Sequence, residues 1–203
     1  MDWENVFTVI MAVLVSIGLP LALRSRKKLG PKKRQELYEH LKQIGLNVAM
    51  TEKANDAGKI GVKSSWMQKS QGIINVGNKN IEIINVIGVS SEYGTHYFLD
   101  YLVRCFNLQG MKLKKTKLRK KKKITSGGKV SVVEWTGDKP LSQNLNFDGF
   151  LKNTLTRTQF TGSIEIVPEP KSNYTRIRTN YFLPSSEFFE VLDIIAGYIK
   201  SRY

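Results

Sequence analysis

Two apolar runs separated by a turn occupy residues 73–89, which read IINVGNKNIEIINVIGV. The runs Ile73–Val76 and Ile81–Val89 are rich in isoleucine and valine, which favour β-strands. Between them, residues 77–80 are Gly-Asn-Lys-Asn, a composition typical of tight turns. The stretch therefore predicts a β-hairpin, and we expect a folded domain to begin near residue 72.

Further predicted strand pairs and helices follow this hairpin toward the C-terminus. They are a helix over residues 95–107, strands over 111–118 and 129–135, a helix over 141–155, strands over 163–167 and 174–182, and a helix over 185–202. Hairpins that alternate with helices favour an antiparallel sheet covered by helices on one face. The sequence thus predicts an α+β domain over residues 72–203, built from up to three strand–strand–helix (ββα) units.

The segment before this domain predicts one helix and a linker. Leu37, Leu41 and Ile44 recur at helical spacing, so residues 32–44 predict an amphipathic helix. Residues 51–71 are polar, contain two glycines and show no clean period, which is typical of a linker. We therefore treat residues 29–71 as a connecting region that precedes the domain.

The N-terminus contains an uncharged apolar run from Asn5 to Leu23. As a helix it would be about 28 Å long, close to the ~30 Å hydrocarbon core of a bilayer. A cleaved signal peptide would place basic residues before the run, where this chain has Asp2 and Glu4. A helix buried in a protein core would be expected to show a polar face, which this run lacks. Residues 1–28 therefore predict a transmembrane anchor with its basic flank.

The basic side chains that follow the run predict its orientation. Lysine and arginine near a membrane span remain on the cytoplasmic side. The flank carries Arg24, Arg26, Lys27 and Lys28, and three more basic residues by position 34. We expect a single-pass protein of the cell membrane with its N-terminus outside and its C-terminal domain in the cytoplasm.

The net charge of +15 is concentrated in two short segments. Of the 32 basic residues, seven lie in residues 24–34 and nine in residues 112–123, which leaves 16 basic against 17 acidic residues elsewhere. The second segment comprises Lys112, Lys114, Lys115, Lys117, Arg119, Lys120, Lys121, Lys122 and Lys123. We interpret it as a basic arm of a hairpin that binds anionic lipid head groups or an acidic partner.

Two other interpretations of the basic arm remain open. Nucleic acid would also be attracted by the charge, but residues 112–123 contain no aromatic side chain on which bases could stack. A solvated loop that keeps the domain soluble is the simplest alternative.

A second anion site is predicted on the strand 174–182, where Arg176 and Arg178 share a face. An alternative is that Arg176 pairs with Glu165 across the hairpin.

The sequence shows no catalytic motif, and we predict neither an enzyme nor a cofactor. Cys105 is the single cysteine and is expected in the core on the predicted helix 95–107. His40 and His96 fall in different predicted elements, so we predict no metal site. Among the acids near the second helix, nothing in the spacing selects Glu134, Asp138 or Asp148 for catalysis.

These features predict a non-catalytic, single-pass membrane protein that acts through protein–protein interaction as an accessory or assembly subunit of a larger membrane complex. Its partners would be other subunits of that complex and anionic head groups. The alternative is a membrane-tethered protein that binds nucleic acid or anionic lipid through the basic arm 112–123.

Overall fold

An eight-stranded antiparallel sheet forms the centre of the protein. The computed structural model describes residues 3, 7, 29–51, 68–106, 108–109, 113–125, 128–157 and 162–203, without the side chains of residues 120–132. The strands lie in the order β1-β2-β3-β4-β8-β7-β5-β6. Together with four helices they confirm the predicted α+β class.

The described residues form eight strands and four helices. They are helix α1 (residues 29–43), strands β1 (Val48–Met50), β2 (Gln68–Val76), β3 (Ile83–Ser91), β4 (Gly94–Arg104), β5 (Thr116–Thr125) and β6 (Gly128–Thr136), helices α2 (Lys139–Phe147) and α3 (Gly149–Arg157), strands β7 (Glu165–Glu169) and β8 (Tyr174–Asn180), and helix α4 (Ser186–Arg202). The three predicted hairpins 73–89, 111–135 and 163–182 are present with shifted bounds.

The four helices formed by residues 29–43, 139–147, 149–157 and 186–202 cover the same face of the sheet. Ile84, Tyr101, Ile177 and Ile166 lie opposite one another on successive strands and point into this layer. Each helix contributes buried leucine, isoleucine or phenylalanine side chains to the same cluster. Alternation of side chains along each strand then places the intervening residues on the opposite face.

The first hairpin is fixed to the last helix by a carboxylate. Asn78 adopts a left-handed conformation with φ of 58°, which asparagine tolerates. Asp193 of α4 accepts hydrogen bonds from the backbone N–H groups of Asn80 (2.7 Å) and Ile81 (3.1 Å). The predicted helix 185–202 is confirmed, and the side chain of Ser185 caps its first turn.

The predicted helix 32–44 is confirmed as α1. Its Leu37 and Leu41 are fully buried in the main core, and β1 pairs with β2 through Val48 and Val76. The predicted linker is wrong at its end, because residues 68–71 belong to β2; residues 52–67 lie outside the described part. The domain boundary at residue 72 stays a prediction.

The predicted helix 95–107 is wrong, because residues 95–104 belong to the central strand β4; residue 107 lies outside the described part. A strand buried on both faces has apolar residues in succession and loses its alternation, which resembles a buried helix in sequence. Asp100 and Arg104 do not pair with each other; Arg104 instead contacts Glu82 at 2.9 Å. Since β4 follows β3 directly, the first ββα unit is absent, and the recurrence holds only for the two later hairpins.

The predicted helix 141–155 is divided into α2 and α3 at Asp148. Asp148 is extended, with φ of −71° and ψ of 103°. Its Oδ1 accepts from the N–H of Leu151 at 3.0 Å, so it caps the second helix, and its Oδ2 accepts from the Tyr198 hydroxyl at 3.0 Å. The break thus depends on an aspartate cap rather than on Gly149 alone.

The predicted transmembrane run lies almost entirely outside the described residues. Of residues 1–28 the structure describes Trp3 and Phe7, which are helical and have exposed side chains. Among the helices formed by described residues, none combines the length and apolar character that crossing a bilayer requires. The anchor therefore stays a prediction from sequence.

Candidate functional site

A row of polar and charged side chains crosses the face of the sheet that is opposite the helices. Asn85 lies opposite Asp100, Asp100 opposite Arg178, Arg178 opposite Glu165, and Glu165 opposite Lys117. Directly opposed residues in antiparallel strands are close enough for their side chains to interact. We call these five residues, which span β3, β4, β8, β7 and β5, the polar row.

Asp100 is the buried centre of the polar row. Its carboxylate is fully inaccessible to solvent and accepts two hydrogen bonds from Arg178, Nε to Oδ1 at 2.6 Å and Nη2 to Oδ2 at 2.7 Å. Burial acts to lower the pKa of Arg178, but the hydrogen bonds and charge of Asp100 outweigh it and raise that pKa. This two-point pairing is the geometry in which guanidinium and carboxylate bind most strongly.

Arg176 is the second cation at Asp100. Its Nη1 lies 3.6 Å from Asp100 Oδ2, and its Nη2 lies 3.1 Å from Glu169 Oε1. The predicted anion-binding pair Arg176 and Arg178 is thus brought together, but around carboxylates of the chain itself. An external anion would have to compete with Asp100 and Glu169, and the anion site stays a prediction.

The predicted pairing of Glu165 with Arg176 is wrong by two residues. Glu165 lies opposite Arg178, while Val167 lies opposite Arg176. The cause is the tight connection, in which Pro170–Ser172 form one 3₁₀ turn and Asn173 takes a left-handed φ of 55°. Pro168 and Glu169 therefore remain in strand β7. The register of β7 against β8 shifts by two residues, so each side chain stays on the predicted face of the sheet.

Glu165 connects the polar row to the start of the basic arm. Its carboxylate forms ion pairs with Lys115 and with Lys117, the latter at 2.8 Å. Partial burial acts to raise the pKa of Glu165, but the hydrogen bonds and charges of the two lysines outweigh it and lower that pKa. Two of the predicted binding lysines are therefore held by an internal carboxylate.

The rest of the arm lies on a two-stranded ribbon that extends past β7. Among the described residues, β5 pairs with β7 at Thr116 and Lys117, and the Leu118 N–H donates to the Ile164 carbonyl. The pairing of β5 with β6 continues to Thr125 opposite Gly128. Beyond Leu118, each of these two strands therefore has the other as its described strand partner. We call residues 119–134 the basic ribbon.

Few acidic residues face the charges of the basic ribbon. Arg119 lies opposite Glu134, and Lys120, Lys121, Lys122 and Lys123 lie opposite Val133, Val132, Ser131 and Val130. The lysine run therefore has no carboxylate in the opposed positions of its pairing strand, in contrast to the polar row. Lys114 and Arg119 are exposed, and Lys112, Arg24, Arg26, Lys27 and Lys28 lie outside the described residues.

A shallow depression of about 320 Å³ lies where α1 meets the ends of β4 and β8. Lys33 Nζ lies 4.1 Å from the ring centroid of Tyr181, whose hydroxyl donates to the Lys33 carbonyl at 2.8 Å. Burial and the nearby Glu36 carboxylate raise the pKa of Tyr181. These contacts attach α1 to the sheet.

Among the residues considered for catalysis or metal binding, contacts within the fold involve Cys105, His40 and Asp138. Cys105 follows β4, not a helix, and burial raises the pKa of its thiol. His40 Nε2 lies 2.8 Å from the Pro184 carbonyl, while His96 lies in β4. Asp138 caps α2 by accepting from the N–H of Leu141 at 3.2 Å. No three metal-ligating side chains cluster in the part of the chain that the structure describes.

Sequence reasoning missed the central residues of the polar row. Asp100 was assigned to a helix, and Asn85 was not singled out. The pairing of Asp100 with Arg178 depends on the register of β4 against β8, which are distant in sequence, and no local pattern encodes that register. The available signal was an isolated acid within a strongly apolar segment, since a buried charge requires a partner.

Comparison with known proteins gave no relative: the chain matches no protein-family model, and neither a curated protein nor a solved structure shows significant similarity to it. Any functional conclusion therefore has to come from the residues and their geometry.

Proposed function

We propose that this protein is a non-catalytic, single-pass membrane protein whose C-terminal α+β domain binds a protein partner through the basic ribbon, as an accessory or assembly subunit of a membrane complex. One observation carries the proposal. The basic ribbon extends past β7, and the register places four of its lysines opposite valine and serine residues rather than carboxylates.

The polar row supports a binding role by contrast. Its cations Arg178 and Lys117 lie at ion-pair distances from Asp100 and Glu165, which accounts for them structurally. A cluster of like charges raises the free energy of the folded state through mutual repulsion. The presence of such a cluster on a ribbon that extends past β7 is explained if an acidic surface neutralises it in the assembly.

The membrane part of the proposal depends on the apolar run from Asn5 to Leu23 and on the basic flank that follows it. The flank would place the C-terminal domain on the cytoplasmic side. Protease treatment of sealed cells tests this orientation. The domain is expected to resist digestion until the membrane is opened, and digestion from the outside would contradict the proposed topology.

Lipid and nucleic acid are the alternative occupants of the basic ribbon. Anionic head groups attract nearby lysines by about 1 kcal/mol each, and nucleic acid would show binding that weakens steeply with salt. A protein partner is favoured because the segment lacks aromatic stacking residues and because a ribbon offers backbone groups as well as charge.

Native mass spectrometry of the full chain, extracted in mild detergent from its own membrane, distinguishes these occupants. We expect a stoichiometric protein partner with the wild type and its loss when Lys120, Lys121, Lys122 and Lys123 are all replaced by glutamine. A chain that carries only acidic lipid or nucleic acid would replace the proposal by the corresponding alternative.

A further inference from the structure

The free edge of β6 is capped at one point by a side chain. The Trp135 N–H donates to Asn146 Oδ1 at 2.9 Å, and Asn146 Nδ2 donates to the Trp135 carbonyl at 2.9 Å. The amide of Asn146, which belongs to α2, thus takes the place that a neighbouring strand would occupy. This contact covers the edge at the end of β6 that is nearest the core.

Beyond this cap the edge continues along the basic ribbon. In an antiparallel pair the backbone groups of alternate residues point away from the partner strand. Because the groups of Trp135 point outward to Asn146, those of Val133, Ser131 and Lys129 point outward too. Strand β6 is the last strand of the sheet, and β5 is its partner among the described strands.

We propose that an extended acidic segment of a partner protein adds to the sheet as a ninth strand along residues 129–133 of β6. This inference rests on the proposed function and specifies how the partner is bound. Backbone hydrogen bonds to an exposed edge provide affinity in this mode of recognition. The cap at Asn146 would mark where the added strand ends.

The charge of the neighbouring strand determines the chemistry of the segment. An added strand would lie about 10 Å from β5, or two strand spacings, which is close to the Debye length at physiological salt. Its carboxylates would therefore be attracted by Arg119 and the four lysines that follow. A second copy of this chain would bring its own lysine run to the same edge and would be repelled.

Substitution of Ser131 separates edge pairing from simple charge attraction. Ser131→Pro removes one outward N–H and obstructs the edge, a position at which proline is tolerated, and it leaves every lysine in place. Ser131→Ala is the matched control, because it keeps the backbone N–H. The probe is an eight-residue peptide of alternating Glu and Thr with blocked ends, added to the full chain in detergent micelles.

We expect the peptide to bind the wild type and Ser131→Ala equally, and to bind Ser131→Pro at least tenfold more weakly. Hydrogen exchange at the amides of Ser131 and Val133 should slow when the peptide is bound. A peptide of the same charge with every backbone nitrogen methylated should not bind. This second comparison leaves the protein unchanged, so it is informative even if the proline variant misfolds.

Three results would overturn the inference. They are absence of peptide binding to the wild type, equal binding of the methylated peptide, and a wild-type dimer that Ser131→Pro dissociates, which would assign the edge to a second copy. The inference of strand addition can fail while the proposed function holds. If native mass spectrometry shows the partner retained by Ser131→Pro but lost from the four-glutamine variant, the basic ribbon binds a protein without strand addition.

Discussion

The polar row and the basic ribbon both contain clustered cations, but they differ in what lies opposite. In the polar row Arg178 forms two hydrogen bonds with the buried Asp100, and Lys117 pairs with Glu165. In the basic ribbon Lys120 to Lys123 lie opposite valine and serine. The comparison separates cations that stabilise the fold through opposed carboxylates from cations that have no carboxylate in the opposed positions of the pairing strand.

Removal of the carboxylate at the centre of the polar row should have the largest effect. Asp100→Ala would leave Arg176 and Arg178, whose side chains are 18% and 17% exposed, without their shared partner. Loss of one member of a buried ion pair costs about 3–5 kcal/mol. Urea denaturation should show a decrease in the free energy of unfolding at the lower end of this range.

Glu190→Ala is the control for this prediction, since Glu190 is an exposed acid on α4. It should change stability by no more than about 0.5 kcal/mol. If Asp100→Ala were as stable as this control, the polar row would not be a folding element, and Arg176 and Arg178 would have to be considered for ligand binding.

Loss of the side-chain cap on β6 should have an intermediate effect. Asn146→Ala removes both hydrogen bonds to Trp135, each of which contributes about 1 kcal/mol, so we expect destabilisation of about 1–2 kcal/mol. Thermal unfolding of this variant beside Asn144→Ala, an exposed residue of the same helix, measures the difference. Equal melting temperatures would show that the edge at Trp135 is not capped in solution.

The ion pairs of Glu165 should make a smaller contribution to the free energy of unfolding, and this contribution should depend on pH. Because the pKa of Glu165 is lowered from its ordinary value of 4.5 by Lys115 and Lys117, the folded state binds protons less readily than the unfolded state. Its stabilising effect is therefore present above about pH 4.5 and is lost as the pH falls through the folded-state pKa. Because solvent screens these lysines, loss of the Glu165 ion pairs should decrease the free energy of unfolding by less than Asn146→Ala does.

Comparison of wild type with Glu165→Gln from pH 7 to pH 3 checks this expectation. The wild type should have a larger free energy of unfolding than Glu165→Gln at neutral pH. The difference in free energy between the two proteins should narrow below pH 4.5. A difference that widened on acidification would reverse the sign of the pKa shift and contradict the assigned ion pairs.

Neutralisation of the basic ribbon should have the smallest effect on stability. Replacement of Lys120 to Lys123 by glutamine removes charges that face no opposed carboxylate within the ribbon, so the free energy of unfolding should stay within about 0.5 kcal/mol or rise slightly through relief of repulsion. Chemical denaturation at low salt gives the measurement. Destabilisation by more than 1 kcal/mol would mean that the run has an internal partner.

Local sequence patterns predicted the hairpin 73–89, α1 and α4, because each combines a clear period with turn or capping residues. They failed for β4, where burial on both faces removes the alternation by which a strand is recognised. The ribbon was predicted as a basic hairpin arm. The polar row was not, because the partners Asp100 and Arg178 are 78 residues apart and meet only when the sheet is assembled.

Photo-crosslinking in the native membrane tests the central claim most directly. A photoreactive residue at position 121 of the basic ribbon is compared with one at position 93, where Tyr93 is 95% exposed at the turn of the β3–β4 hairpin. A binding role for the ribbon predicts one defined protein adduct from position 121 and none from position 93. Equal adducts from both positions, or lipid or nucleic-acid adducts alone from position 121, would contradict it.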